Sequence, residues 1–177
     1  IYKVLTHYIE RLARTLPSSL NVGYLVNSGS EANELAVRIA RSFTGEKNMI
    51  VMEGAYHGQT TVLITLSPYK LRGTGGAPKS QPWVHVVPIP DAYRRKGENY
   101  AKEFKNVVDE SGSIAGFMVE SMLSCAGQIP LPDGYLASAF KQVRAAGGLC
   151  IVDEVQVGFG RIGTHMWAFE EQGVVPD

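Results

Sequence analysis

Ile114-Ala115-Gly116-Phe117-Met118-Val119 and Leu149-Cys150-Ile151-Val152 are the runs whose reading decides the fold. Each is continuously apolar, without the polar alternation of a half-solvated strand, and each meets a carboxylate at its end, Glu120 and Asp153. Strands of this kind are buried on both faces, which is the pattern of a parallel sheet covered by helices. Between them a helix spans about Gly134 to Ala146 and stops at Gly147-Gly148. The unit is therefore strand, helix, strand, as a parallel crossover requires.

The same alternation extends upstream. Val4, Leu5, Tyr8, Ile9, Leu12, Ala13 and Leu16 recur at helical spacing before Pro17, and Val22–Val26 reads as a short apolar strand. A second helix carries Ala32, Leu35, Ala36, Ile39, Ala40 and Phe43 on one face, with Gly45 just beyond it. Met49–Met52 and Val84–Val87 read as further strands, Gly58–Leu66 as a helix rich in threonine, and Tyr100–Val108 as an amphipathic helix. The stretch 67–97 is rich in glycine, proline and charge and reads as a long loop around Val84–Val87. The expected class is α/β, a mainly parallel sheet flanked by helices.

Composition narrows the function. Lys plus Arg and Asp plus Glu each number 17 in 177 residues, so there is no electrostatic footprint for nucleic acid or an anionic membrane. No apolar stretch is long enough to span a bilayer, and no signal peptide precedes the first helix. Cys125 and Cys150 make neither a metal-ligand spacing nor a disulfide framework, which points to a reducing, intracellular setting. Ile1 is not an initiator methionine, and Gly173-Val174-Val175-Pro176-Asp177 stops where another strand is expected, so both ends read as cut.

In open parallel sheets ligands sit beyond the carboxyl ends of the strands, and four such edges carry chemistry. At Asn27-Ser28-Gly29-Ser30-Glu31, Ser28 and Glu31 have capping-box spacing. The N–H groups of Gly29 and Ser30 then either hold a phosphate or belong to an ordinary capped helix. At Glu53-Gly54-Ala55-Tyr56-His57-Gly58, Tyr56 either covers a flat ring or packs in a turn, while His57 suits a structural role. Glu120 is a structural acid or an active-site one. Asp153, at the end of a buried strand, needs a cationic partner such as a protonated pyridine nitrogen or an arginine. Gly158-Phe159-Gly160-Arg161-Ile162-Gly163 matches the dinucleotide pattern G-x-G-x-x-G. Polar residues separate it from its strand and it comes late in the chain, so a nicotinamide or flavin reading is weak.

Taken in order, Ser28-Gly29-Ser30-Glu31-Ala32-Asn33, Ala55-Tyr56-His57-Gly58, Val119-Glu120 and Asp153-Glu154-Val155-Gln156-Val157-Gly158-Phe159-Gly160-Arg161 resemble the class III aminotransferases. The resemblance implies the large domain of a fold-type I enzyme dependent on pyridoxal 5'-phosphate. It also implies a homodimer, with a primary amine or amino acid as substrate. The cofactor phosphate would lie on Gly29 and Ser30, and Tyr56 would stack on the ring. Asp153 would pair with the ring nitrogen, Gln156 would lie near the ring hydroxyl, and Glu120 would stand beside the cofactor. The family's Schiff-base lysine, the N-terminal segment and the C-terminal small domain are expected outside residues 1–177, so these residues alone are expected to be inactive.

Two departures refine the resemblance. Ser121 replaces the family's usual proline, and Cys125 stands where many members carry a second glutamate, which argues against ornithine and aminobutyrate as substrates. Ser67-Pro68-Tyr69-Lys70, Val84-His85-Val86-Val87-Pro88 and Glu120-Ser121-Met122 resemble the phospho-lyase branch, which acts on phosphoethanolamine or phosphohydroxylysine. Lys70 and Arg72 are the candidates there for the substrate phosphate, unless they belong to a solvated loop. Ser113-Ile114-Ala115-Gly116-Phe117 is equally similar to alanine–glyoxylate-type transaminases. Transaminase is the leading expectation and phospho-lyase the alternative; a non-catalytic module that keeps the fold is a further class.

Overall fold

The computed structural model describes residues 2–71, 81–95 and 98–177, with the backbone alone at 70 and 71. Helices α1 (Lys3–Ala13), α2 (Gly29–Thr44), α3 (Pro68–Leu71), α4 (Tyr100–Ser111) and α5 (Tyr135–Ala145) alternate with strands β1 (Asn48–Met52), β2 (Val84–Val87), β3 (Ile114–Glu120) and β6 (Leu149–Asp153). These four strands form one sheet in the order β2-β1-β3-β6. Every pairing in it is parallel. Between β3 and α5, β4 (Met122–Leu123) and β5 (Ile129–Pro130) make a small antiparallel hairpin. A 3-10 helix spans Ala168–Gln172.

Burial explains why the central strands are so apolar. All seven residues of β3 are buried, because helices cover the sheet on both sides. On one side Phe104 and Val108 of α4 and Leu136, Phe140 and Val143 of α5 pack on Ile50, Met52, Phe117 and Val119. On the other, Val37 of α2 joins Leu63 and Leu66 against Met49, Val51 and Met118. Burial of a large apolar side chain stabilises by about 1.5–3 kcal/mol, so these two layers hold the strand ends in place.

Four expectations fail. Val22–Val26 is not a strand; it makes no ladder, and Val22, Tyr24 and Leu25 are exposed. An apolar run becomes a strand only where a neighbour completes its backbone hydrogen bonds, and among the described residues neither sheet edge meets it. Residues 58–66 form no helix; 61–66 are successive turns. There Thr65 Oγ1 donates to the Val62 carbonyl and Leu63 N–H donates to Thr60 Oγ1, hydroxyl bonds that compete with the helical ladder. The inward stripe of α2 is Asn33, Val37 and Ala40, whereas Ile39 and Phe43 are exposed. The face that meets the sheet keeps Ala36 and Ala40 of the one expected and turns toward Asn33 and Val37. The stretch expected to begin as loop at Ser67 instead opens with α3.

Candidate active site

α2 begins where the sequence places it. Ser28 is the N-cap, and its Oγ accepts the N–H of Glu31 at 3.1 Å. Glu31 reaches back one residue further than a standard capping box, accepting the N–H of Asn27 at 2.6 Å and its Nδ2 at 3.0 Å. Gly29 and Ser30 head the helix, so no helical carbonyl precedes their N–H groups. Ser30 Oγ accepts the N–H of Gln59 at 3.3 Å, which leaves its own proton free to donate.

The N-terminus of α2 and the ends of β1, β3 and β6 meet around one cleft of 360 Å³. Its wall includes Gly29, Ser30, Tyr56, Glu120, Asp153 and Gln156, the full set of expected cofactor and catalytic residues. β3 and β6 each extend one residue further than expected, and Glu120 and Asp153 stand opposite each other in the ladder. Lys70 and Arg72 cannot be placed in this cleft, since the Lys70 side chain and all of Arg72 lie outside the described residues. A larger cavity of 990 Å³ lies elsewhere, lined by Leu20, Ile39, Phe43, Phe140, Leu149 and Val174 among others. Its walls are mostly apolar and hold none of the strand-end groups.

The two carboxylates are satisfied differently. Asp153 Oδ2 accepts Asn33 Nδ2 at 2.7 Å and lies 3.0 Å from His57 Nδ1, and Oδ1 accepts the N–H of Val155 at 3.0 Å. Burial alone pushes this carboxyl up, but the bonds from His57, Val155 and Asn33 outweigh it and hold the carboxyl below its usual range. Glu120 Oε2 accepts the N–H of Tyr56 at 3.2 Å, while Oε1 accepts the N–H of Ser124 at 3.3 Å and the Ser124 hydroxyl. Glu120 thus ties the Tyr56 loop to the β4–β5 hairpin. Gln156 is exposed, with Oε1 3.4 Å from Gln128 Nε2.

The cleft fits a phosphate-bearing planar cofactor. A Cβ on Gly58 would stand 2.6 Å from Ser30 Oγ, and one on Gly29 would stand 2.8 Å from the Val155 side chain. Both positions demand glycine for close approach at the helix N-terminus where an anion is favoured. A half-buried aromatic and a depressed carboxylate then line the same space. The glycine-rich run 158–163 is a set of turns, with Gly158 N–H bonded to the Glu154 carbonyl and Gly163 N–H to the Gly160 carbonyl. It opens no helix, so the dinucleotide geometry is not met there.

Sequence reasoning missed Asn33 and Ser67 and gave His57 only a structural part. Ser67 is fully buried and its Oγ accepts the N–H of His57 at 2.9 Å. The available signal was Asn33 itself, one helical turn after Gly29 and unable to be buried without partners.

Comparison with known proteins agrees with this geometry. The pattern of the family described as aminotransferase class-III matches residues 2–177. A Drosophila melanogaster protein named alanine–glyoxylate aminotransferase 2-like is 42% identical over all of this chain and 39% of its own length. Ethanolamine-phosphate phospho-lyase homolog 1 of Caenorhabditis elegans is 41% identical over 98% of this chain and 42% of its own length. An Arthrobacter phospholyase solved with phosphoethanolamine superposes with a TM-score of 0.87 at 34% identity, covering 99% of this chain and 43% of that one. A Virgibacillus transaminase superposes at 0.86 with 25% identity, over 100% of this chain and 41% of that one. The chain spans about two fifths of the length of these relatives. With its strand-end cleft and a family match over nearly every residue, the chain belongs to the class-III aminotransferases.

Proposed function

We propose that the whole protein is a pyridoxal-phosphate-dependent enzyme of amino-group chemistry, a transaminase acting on a primary amine or amino acid. The observation that carries this reading is the convergence of a helix-terminal anion cradle, an aromatic and a depressed carboxylate on one cleft. When bound, the cofactor supplies an electron sink for the carbanion beside the substrate nitrogen. The N–H groups of Gly29 and Ser30, with the Ser30 hydroxyl, hold its phosphate. Tyr56 covers one face of the ring and fixes its plane, and Gln156 offers an amide to the ring hydroxyl. Asp153, kept anionic by its donors, accepts the ring N–H and so keeps that nitrogen protonated. Glu120 keeps Tyr56 in place through its main chain and stands beside the cofactor. Homodimeric assembly belongs to the same proposal, as it does to the family resemblance.

A second reading, phosphate elimination from an amino-alcohol phosphate, is favoured by the phospho-lyase relatives and by the superposition on a phospholyase solved with phosphoethanolamine. The whole protein incubated with alanine, glyoxylate and cofactor should form pyruvate and glycine. Release of inorganic phosphate from phosphoethanolamine without amino transfer would replace the first reading with the second. Inactivity in both assays, together with failure to take up the cofactor's visible absorbance, would overturn both.

A further inference from the structure

Asp153 is held by more donors than a simple counter-ion to the ring requires, and their arrangement is uneven. A carboxylate offers about four lone-pair positions. Asn33 Nδ2 and His57 Nδ1 both take Oδ2, at 2.7 and 3.0 Å, and Val155 N–H takes one position on Oδ1. Oδ2 is therefore filled, and a single acceptor position remains, on Oδ1.

The two side chains that fill Oδ2 are themselves fixed. Asn33 Nδ2 donates to the His57 carbonyl at 2.9 Å as well as to Asp153, so two acceptors set which way its amide points. The His57 N–H donates to Ser67 Oγ, which in turn donates to the Leu63 carbonyl at 2.8 Å. The His57 imidazole is wholly buried, and its Nε2 has no partner. With the proton on Nδ1, His57 meets Asp153 as a donor and Nε2 stays a bare acceptor. The other tautomer would set two acceptors face to face at 3.0 Å and bury a donor with nothing to receive it.

We propose that His57, with its proton on Nδ1, and Asn33 are positioning residues that occupy Oδ2 of Asp153, leaving Oδ1 as the one oxygen able to receive the ring N–H of pyridoxal phosphate. The inference rests on the proposed function and deepens it. The carboxylate plane is locked by groups from α2 and from the loop after β1, so the ring nitrogen meets one fixed atom in place of a rotating carboxylate.

The test uses the whole protein with cofactor labelled with 15N at the ring nitrogen. His57→Leu removes the donor and keeps an apolar side chain, whereas His57→Asn returns an amide nitrogen near the Nδ1 position. His57→Leu should bind the cofactor roughly tenfold to a hundredfold more weakly, the scale of losing a bond to a charged group. It should also shift the bound ring-nitrogen resonance toward the unprotonated value, and His57→Asn should recover most of both. A folded His57→Leu with wild-type affinity and an unmoved ring-nitrogen resonance overturns the inference while leaving the proposed function intact. If that variant does not fold, 15N spectra of the wild-type histidines without cofactor decide: a protonated Nδ1 on His57 supports the inference, and a proton on Nε2 with Nδ1 bare overturns it. Wild-type protein that binds no cofactor sinks the proposed function and this inference with it.

Discussion

The ends of β3 and β6 hold the same kind of group at the same level of the sheet. Glu120 and Asp153 are ladder partners, 4% and 6% exposed. Their surroundings differ in kind. Glu120 spends its oxygens on Ser124 and on the main chain of Tyr56, so it acts as a clasp between two loops. Asp153 is gripped mainly by side chains from distant elements and keeps one acceptor position open. Two buried acids at one edge thus differ in use, one tying two loops together and the other keeping an acceptor position open. Burial alone distinguishes nothing here; the identity of the donors does.

Substituting each acid by its amide is the strongest way to break that distinction. Asp153→Asn in the whole protein should lower kcat/KM by about a hundredfold or more, the scale of losing a group that stabilises charge formed during reaction. The chain should still fold, as circular dichroism would report. Wild-type rates would remove Asp153 from its assigned place. Glu120→Gln should act the other way round. An amide group set against the N–H groups of Tyr56 and Ser124 leaves a buried donor without an acceptor, a loss of about 1–3 kcal/mol. Urea denaturation should therefore register Glu120→Gln clearly, while kcat/KM falls less than for Asp153→Asn.

The contrast also shows how much the sequence could disclose. β3 was legible because a continuous apolar run is buried on both faces, and the residues just after it are then site candidates. β6 was read by the same rule, although it ends the strand order and Leu149, Ile151 and Val152 are only half-buried. Three of the four edges follow from that rule; the fourth, at Gly29 and Ser30, is the start of α2 with no strand before it among the described residues. Gly29, Ser30, Tyr56, Glu120, Asp153 and Gln156 do reach one cleft. The grip on Asp153 was not legible, since His57 and Asn33 lie 96 and 120 residues away in the chain. Val22–Val26 misled for a related reason: local apolarity announces a strand, but only a neighbouring strand makes one. At 58–66 the threonines' hydroxyls decided against a helix, an outcome set by side-chain bonds that periodicity does not record.

Glycines sharpen the comparison between a residue that shapes the cleft and one that merely turns the chain. Gly58 has φ +130° and stands against Ser30, whereas Gly112 has φ +68° with nothing within 4 Å of an added Cβ. Alanine at either position should lower stability by about 1–2 kcal/mol through backbone strain. At Gly58 alone it should also displace Ser30 and weaken cofactor binding about tenfold, read by titrating the cofactor's absorbance. Equal affinities for the two variants would separate Ser30 from the phosphate.

The smallest effect sets Asp153 against a half-buried titrating group that has no such support. His85 lies on the edge strand β2, where burial lowers its pKa from 6.5 and Nε2 finds no partner. A histidine with a folded-state pKa below its unfolded value contributes stability that is complete above the unfolded pKa. That contribution is lost as pH falls from 6.5 toward the folded value, because the unfolded chain takes up the proton first. Asp153 has the same sign at a lower position: its contribution is present above the unfolded value of 3.8 and disappears only as pH falls beneath it. Denaturation midpoints followed from neutral pH into mild acid should therefore decline in the wild type well before Asp153 titrates. His85→Leu should flatten that first decline and leave the more acidic one, since Asp153 keeps its three donors. An unchanged mild-acid slope in His85→Leu would assign the decline to other groups and leave the edge strand without a part in the acid response.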